Sequence, residues 1–242
     1  MTNNKLKINE AASYLGVSIY TLRRWDDNGT LKSSRINQSS HRYYNLNQLD
    51  DFLVSFCFDL ATKWVSSNFG KEPNDIFYCA DSSVFQGRLY KLRKALSENK
   101  EIESSFSLLI SVVGEIGDNS FGHNLGNWPD IAGVFFACDT KKRMVVLADR
   151  GQGILKTLKR VRSELKSDEE ALRIAFTEII SGRAPESRGN GLKYVKAVIE
   201  KNPFSLFFQS GKAKLNLNQN DSTLKIKKAK KPISGCLAVI KF

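Results

Sequence analysis

Three short stretches hold the residues whose types and spacing could do chemistry. The first is Gly114-Glu115-Ile116-Gly117-Asp118-Asn119-Ser120-Phe121-Gly122-His123-Asn124, which follows the apolar run Phe106–Val113. Glu115 and Asn119 stand four positions apart, so on a helix they share a face. The second is Asp149-Arg150-Gly151-Gln152-Gly153-Ile154, and the third is Arg188-Gly189-Asn190-Gly191-Leu192, followed by Lys193. Glycines let a backbone pass close to a ligand. A glycine-lined run that opens a helix also presents free N–H groups to an anion. Any one short glycine motif arises often by chance; three of them, with room for a lid between the last two, carry more weight.

Taken together, the three stretches resemble the N, G1 and G2 boxes of the GHKL, or Bergerat-fold, superfamily, which includes gyrase, heat-shock chaperone, histidine kinase and MutL ATPases. The resemblance implies ATP and Mg²⁺ as ligands. Asn119 would bind Mg²⁺ through its side-chain oxygen, as suits a cation that takes few protein oxygens beside phosphates and water. Glu115 would orient or deprotonate an attacking water. Asp118 and His123 fall near the same site. Asp149 would accept a hydrogen bond from the adenine amino group, with Gly151 and Gly153 bringing the backbone close to the base. Arg188, Gly189, Gly191, Leu192 and Lys193 would meet the phosphates, with Arg183 as a further cation. The pattern departs from kinases at Lys193, where a third glycine is usual.

The elements that must position these residues can be read around them. A long helix through Leu108, Val112, Ile116 and Phe121 presents Glu115 and Asn119. Ile131–Cys138 and Arg143–Ala148 read as a strand hairpin over Asp139–Lys142, which puts Asp149 at a strand end. Leu155–Arg188 would be the lid, with a helix from Asp168 through Ile179. A further helix runs from Leu192 to Lys201, and Phe204–Ser210, Lys212–Leu217 and Gly235–Phe242 complete a sheet. Upstream, Ile76–Ala80 looks like a short strand and Phe85–Leu96 an amphipathic helix.

The N-terminal part reads differently. Ile8, Ala11, Ala12 and Leu15 stand at helical spacing, with Asn9 able to cap the start. Gly16-Val17 breaks the helix, and Ser18 caps a second one through Ile19, Leu22 and Trp25, ending at Asn28-Gly29. Two short helices joined by a Gly-containing turn form a helix-turn-helix. Ile8–Trp25 resembles the winged helix-turn-helix of the MerR and excisionase families, and His41-Arg42-Tyr43-Tyr44 with Leu46–Leu53 resembles their wing and following helix. The resemblance implies double-stranded DNA as partner and a homodimer as the working form. Thr21, Arg23 and Arg24 would face bases or phosphates in the major groove, Arg42 and Tyr43 would grip the backbone, and Lys32 and Arg35 would assist. Asp26, Asp27, Asp50 and Asp51 offset much of the local positive charge. Asp51–Ser67 reads as one connecting helix with Phe52, Phe56, Leu60 and Trp64 at intervals of four, and Asn68–Asn74 reads as a boundary rich in breakers.

The expected class is therefore α+β: a small winged helix-turn-helix over residues 1–53, a helical connector over 54–74, and a two-layer α/β sandwich of the GHKL type over 75–242, with a mixed sheet and helices on one face. The chain of 242 residues has a formal charge of +12, which favours a polyanionic partner. Much of the excess lies in Lys225-Ile226-Lys227-Lys228-Ala229-Lys230-Lys231, either a solvated hairpin or an electrostatic footprint. No apolar run is long enough to span a membrane, and no signal-peptide core begins the chain. Cys57, Cys79, Cys138 and Cys236 lie far apart, as reduced cysteines of a cytoplasmic protein would. The two histidines, His41 and His123, stand outside any phosphoacceptor hairpin, which disfavours an ordinary sensor kinase. Three functions fit: a DNA-binding regulator controlled by ATP binding or hydrolysis, a kinase acting on a separate protein client, and a non-hydrolysing ATP sensor.

Overall fold

The computed structural model describes residues 5–35, 41–99, 102, 104–180, 190–221 and 223–242. The chain divides into two compact units, Met1–Cys57 and Phe58–Phe242.

The first unit begins with β1 (Lys5–Lys7) and α1 (Ile8–Leu15). The helix start is held by Glu10, whose carboxylate accepts the Lys7 N–H at 2.7 Å. Lys7 is thus the capping position and Asn9, expected there, sits in the first turn. Gly16 ends α1 at φ 66°, a left-handed conformation that a side chain would strain. Helix α2 (Ile19–Asp27) is capped by Ser18, whose hydroxyl accepts the Thr21 N–H at 3.1 Å. Strand β2 (Tyr43–Asn45) pairs antiparallel with β1, and α3 (Leu46–Ser55) follows. Ala11, Ala12, Leu22, Leu31, Tyr44 and Leu49 form the core between these pieces.

The expected single helix over Asp51–Ser67 is two helices. Phe56 breaks it, and α4 (Cys57–Ser66) begins at the next residue. The cause is a change of core. Leu49 and Leu53 are buried on α3, whereas Ala61, Trp64 and Val65 are buried on α4. One continuous apolar stripe cannot serve both. Of residues 54–74, expected as a separate connector, 58–74 fall in the second unit: the Trp64 indole donates to the Lys71 carbonyl at 2.7 Å, and the Val65 carbonyl accepts the Ser234 N–H.

The second unit is built on a seven-stranded sheet in the order β3-β4-β5-β9-β6-β7-β8, namely Tyr78–Cys79, Val134–Asp139, Met144–Asp149, Cys236–Lys241, Ser205–Ser210, Ala213–Asn218 and Lys225–Lys228. Every described pairing is antiparallel, not mixed as expected. β5 and β6 do run the same way, and the connection between them carries helices α7 (Gly153–Leu158), α8 (Asp168–Thr177) and α9 (Gly191–Lys201). The last strand, β9, slots between them and pairs antiparallel with each. Helices α5 (Ser82–Ser97) and α6 (Phe106–Asn124), with α8 and α9, cover one face through residues such as Leu89, Val112, Phe176 and Val195. The other face is not bare: α4 sets Trp64 against Phe135 and Phe58 edge-on to Phe207, with ring centroids 6.3 Å apart in each pair. Among the described residues, no helix is long and apolar enough to cross a membrane.

Candidate functional site

Helix α6 places the first cluster. Its glycines have a packing task. A β-carbon on Gly117 would fall 2.1 Å from the Phe85 ring of α5, so the two helices close together on that side. Glu115 and Asn119 turn to another side, toward α9. Asn119 Nδ2 donates to Glu115 Oε1 at 3.1 Å. The backbone of Gly191 lies directly against both; a β-carbon there would sit 1.9 Å from Glu115 Oε1 and 2.9 Å from Asn119 Nδ2. Two segments far apart in sequence therefore meet at the start of α9, whose first N–H groups have no intrahelical acceptor.

Asp149 ends β5 and is 2 % exposed. Its Oδ1 accepts the Gly151 N–H at 2.8 Å, and its Oδ2 accepts the Ser120 hydroxyl of α6 at 2.9 Å. Burial pushes its carboxyl up to about 6, and the bonds from Gly151 and Ser120 oppose that rise without cancelling it. Gly235 closes the turn from behind at φ 66°, where a β-carbon would fall 2.2 Å from the Asp149 carbonyl oxygen. Asn124, the last residue of α6, donates to the Ser120 carbonyl and accepts the Gln152 N–H, both at 2.8 Å. Gly153, at φ 75°, starts α7, and the neighbouring Ile154 N–H donates to the Ser210 hydroxyl at 2.9 Å.

These pieces line one cleft of about 860 Å³, counted out to its open mouth. Its walls come from Asn119, Ser120 and His123 of α6, Gly153, Ile154 and Thr157 of α7, and Gly191 and Leu192 of α9. Asp149, Phe208 and Cys236 of the sheet form its floor, with Ala175 of α8 and the nearby Ile180 also lining it. A mostly apolar lining with a few convergent polar groups is the usual make-up of small-molecule sites. Leu158, Leu165, Ala171 and Ile174, from α7, α8 and the stretch between them, form a small core of their own.

Of the residues expected to act here, Asn119, Asp149, Gly153, Gly191 and Leu192 line the cleft, and Glu115 touches its Asn119 and Gly191 edge. Gly151 is buried behind the cleft, against Asn124, where a β-carbon would meet Nδ2 at 2.0 Å. Lys193 is exposed on the first turn of α9 and is not a lining residue. Arg183, Arg188 and Gly189 lie outside the described residues. Sequence reading quoted Ser120 and Asn124 within the first stretch without giving them a role, and it missed Ser210, Gly235 and Cys236 as cleft residues, which come from segments with no spacing signal. It also missed Arg150, only 1 % exposed. Its guanidinium donates to the Trp64 and Ser67 carbonyls and to the Asp130 carboxylate, whose Oδ2 is 3.0 Å from Nε. The Arg150 hydrogen bond, ahead of the opposing effect of burial, holds the Asp130 carboxyl below its usual range.

The head has a second cluster. Arg23 and Arg24 are exposed on α2, as is Tyr20, at 75 %. Thr21 is half-buried, its hydroxyl 2.9 Å from that of Ser18, and Tyr43 is half-buried on β2. Arg42, expected to grip DNA, is turned to the head itself. Its Nε donates to Asp26 at 2.7 Å and its terminal nitrogen to Asp27 at 3.2 Å. Asp26 is 5 % exposed and also accepts from the Ser33 N–H, the Ser33 hydroxyl and Arg35. Burial alone would raise its carboxyl, but these donors outweigh burial and hold it well below the usual carboxylate range. Lys32 donates to the Asp26 carbonyl at 2.8 Å. Asp26 is thus a knot joining α2 to the wing, not a surface charge that opposes DNA.

Residues 7–44 match the family model described as MerR family regulatory protein. A stretch of 52 residues is 42 % identical to the type II methyltransferase M.Eco47II of Escherichia coli, covering 22 % of this chain and 12 % of that protein. The chain thus aligns with about an eighth of the length of that relative, and the family model spans the head alone. The head is a MerR-type helix-turn-helix, a DNA-binding module.

Proposed function

We propose that this protein is a DNA-binding regulator in which Mg-ATP, held in the cleft of the second unit, governs the helix-turn-helix head. The observation that carries the reading is the convergence of Asn119, Asp149 and the Gly191-Leu192 helix start on one cleft. The residues suit the ligand. The Asp149 carboxylate at the floor can accept from an exocyclic adenine amine; a guanine carbonyl in that place would set acceptor against acceptor. The N–H groups opening α9 and the helix dipole favour phosphate. The side chain of Asn119 supplies an oxygen of the kind that magnesium takes. Bound magnesium would neutralise phosphate charge beside Glu115, which is placed to accept a proton from water.

On the DNA side, Arg23, Arg24 and Thr21 face duplex DNA from α2 and Tyr43 from the wing, while Arg42 positions the wing through Asp26. Regulation requires the cleft to reach the head. Arg150 follows Asp149 directly and grips the carbonyls of Trp64 and Ser67 at the end of α4, the helix into which the head's α3 leads. A shift of the Asp149 turn on nucleotide binding is thereby passed to α4.

The test is calorimetric titration of the full chain with Mg-ATP, beside Mg-GTP and the Asp149→Ala variant. Heat with ATP that is absent with GTP and with the variant is the expected result. Equal titrations for wild type and Asp149→Ala would remove the nucleotide assignment. For the head, Arg23→Ala and Arg24→Ala should each weaken a gel-shift complex at fixed salt, by roughly 1–3 kcal/mol where the arginine reads a base.

A further inference from the structure

The face of the sheet opposite α5, α6, α8 and α9 changes character along its length. Across β4 and β5 it is apolar, and Phe135 there packs against Trp64 of α4. Across β6 it carries Ser205, Phe207 and Gln209, with Phe207 edge-on to Phe58 of α4, and across β7 and β8 it becomes cationic. Cross-strand neighbours share a face, so the register sets Gln209, Lys214 and Lys227 in one row and Phe207, Asn216 and Lys225 in the next. Lys241 of β9 stands on the same face, opposite Ser205. Lys225, Lys227 and Lys241 are exposed and Lys214 is half-buried. The rest of the basic run turns back toward this face, since Gln209 donates to the Lys231 carbonyl at 2.8 Å. No acidic residue lies on β6, β7, β8 or β9. The acid recorded against these lysines is Asp221 in the β7–β8 turn, whose Oδ1 pairs with Lys225 at 3.8 Å while its Oδ2 accepts the Asn218 N–H groups.

Protection of a sheet edge explains lysines on an edge strand, and β8 is such a strand. It does not explain Lys214 and Lys241, which stand on β7 and β9 inside the sheet. Nor does it explain why Lys214 and Lys227 are direct cross-strand partners, an arrangement that like charges disfavour. An anion lying across the row would turn that repulsion into attraction. Lys225 and Lys227 are spaced by two strand residues, about 7 Å, of the order of the through-space gap between neighbouring phosphates on one DNA strand.

We infer that this lysine-bearing sheet face is a second DNA contact, which binds the phosphodiester backbone of duplex DNA without reading sequence. The inference rests on the DNA-binding reading of the head and adds a separate surface in the second unit. Each lysine that neutralises one phosphate adds about 0.9 to the slope of log affinity against log salt.

The experiment measures binding of the full chain to a random-sequence duplex from 50 to 200 mM salt, for wild type, Lys214→Gln/Lys225→Gln/Lys227→Gln and Lys214→Arg/Lys225→Arg/Lys227→Arg. The glutamine variant should lose between two and three of the wild-type slope, equivalent to about forty-fold less weakening over that salt range. The arginine variant should keep the wild-type slope. An equal melting temperature for the two variants separates charge loss from misfolding. An unchanged slope in the glutamine variant, or equal losses in both variants, overturns the inference and leaves the lysines as edge guards or as a site for an acidic protein. Arg23→Ala/Arg24→Ala, run in parallel on a specific site, reports on the head alone, so failure of one surface is not mistaken for failure of the other.

Discussion

A carboxylate shut away from water resists ionisation, and Asp149 carries the cost of its position at neutral pH. Its carboxyl is raised from 3.8 to about 6 by burial. Between those values the folded chain holds a proton that the unfolded chain has released, so this group makes stability fall as pH rises from about 4 to about 6. The gap corresponds to on the order of 3 kcal/mol at neutral pH. Asp149→Asn keeps the shape without the charge. It should therefore melt higher than wild type at pH 7.5, while the two converge near pH 4, as followed by thermal unfolding across that range. A variant that melts lower at pH 7.5 would mean that the carboxylate stabilises the resting fold. In the wild type, ATP whose adenine amine donates to the Asp149 carboxylate should bind less tightly below about pH 6. Asp149 and Asn119 were legible because their motifs are local. Gly235 presses on the same aspartate from far along the chain, and nothing in its own neighbourhood marks it.

At the scale of elements, α6, the β4–β5 hairpin and the α1–α2 pair follow from short-range rules of periodicity, capping and turn chemistry, and they stand where the sequence placed them. Two features depended on the whole sheet and were not legible. The insertion of β9 between β5 and β6 makes the described sheet antiparallel throughout, and the division at Phe56 hands α4 to the second unit. Arg150 explains why α4 stays there. It is a buried cation that satisfies two carbonyls and Asp130, and removing one partner of such a set leaves the others unpaired. Arg150→Met should cost on the order of 3 kcal/mol, read by denaturant unfolding. Arg150→Lys keeps the charge but not the fork that spans Trp64, Ser67 and Asp130. It should fold, bind Mg-ATP, and lose the effect of ATP on DNA binding. Full coupling in the lysine variant would take Arg150 out of the relay.

For the whole molecule, a chain of +12 formal charge carries a MerR-type head in one unit and the cleft floored by Asp149 in the other. Charge alone pointed toward a polyanion, but only the register showed that part of the basic run shares a face with Lys214 and Lys241. The regulatory account stands on linkage: if Mg-ATP changes affinity for DNA, DNA must change affinity for Mg-ATP by the same factor. That reciprocity is measured by titrating DNA into the full chain with and without saturating Mg-ATP, and Mg-ATP with and without saturating DNA. The account predicts one shared factor of about 5 to 150 in both directions. Both ligands binding with a factor of one would show two independent sites on one chain and contradict it.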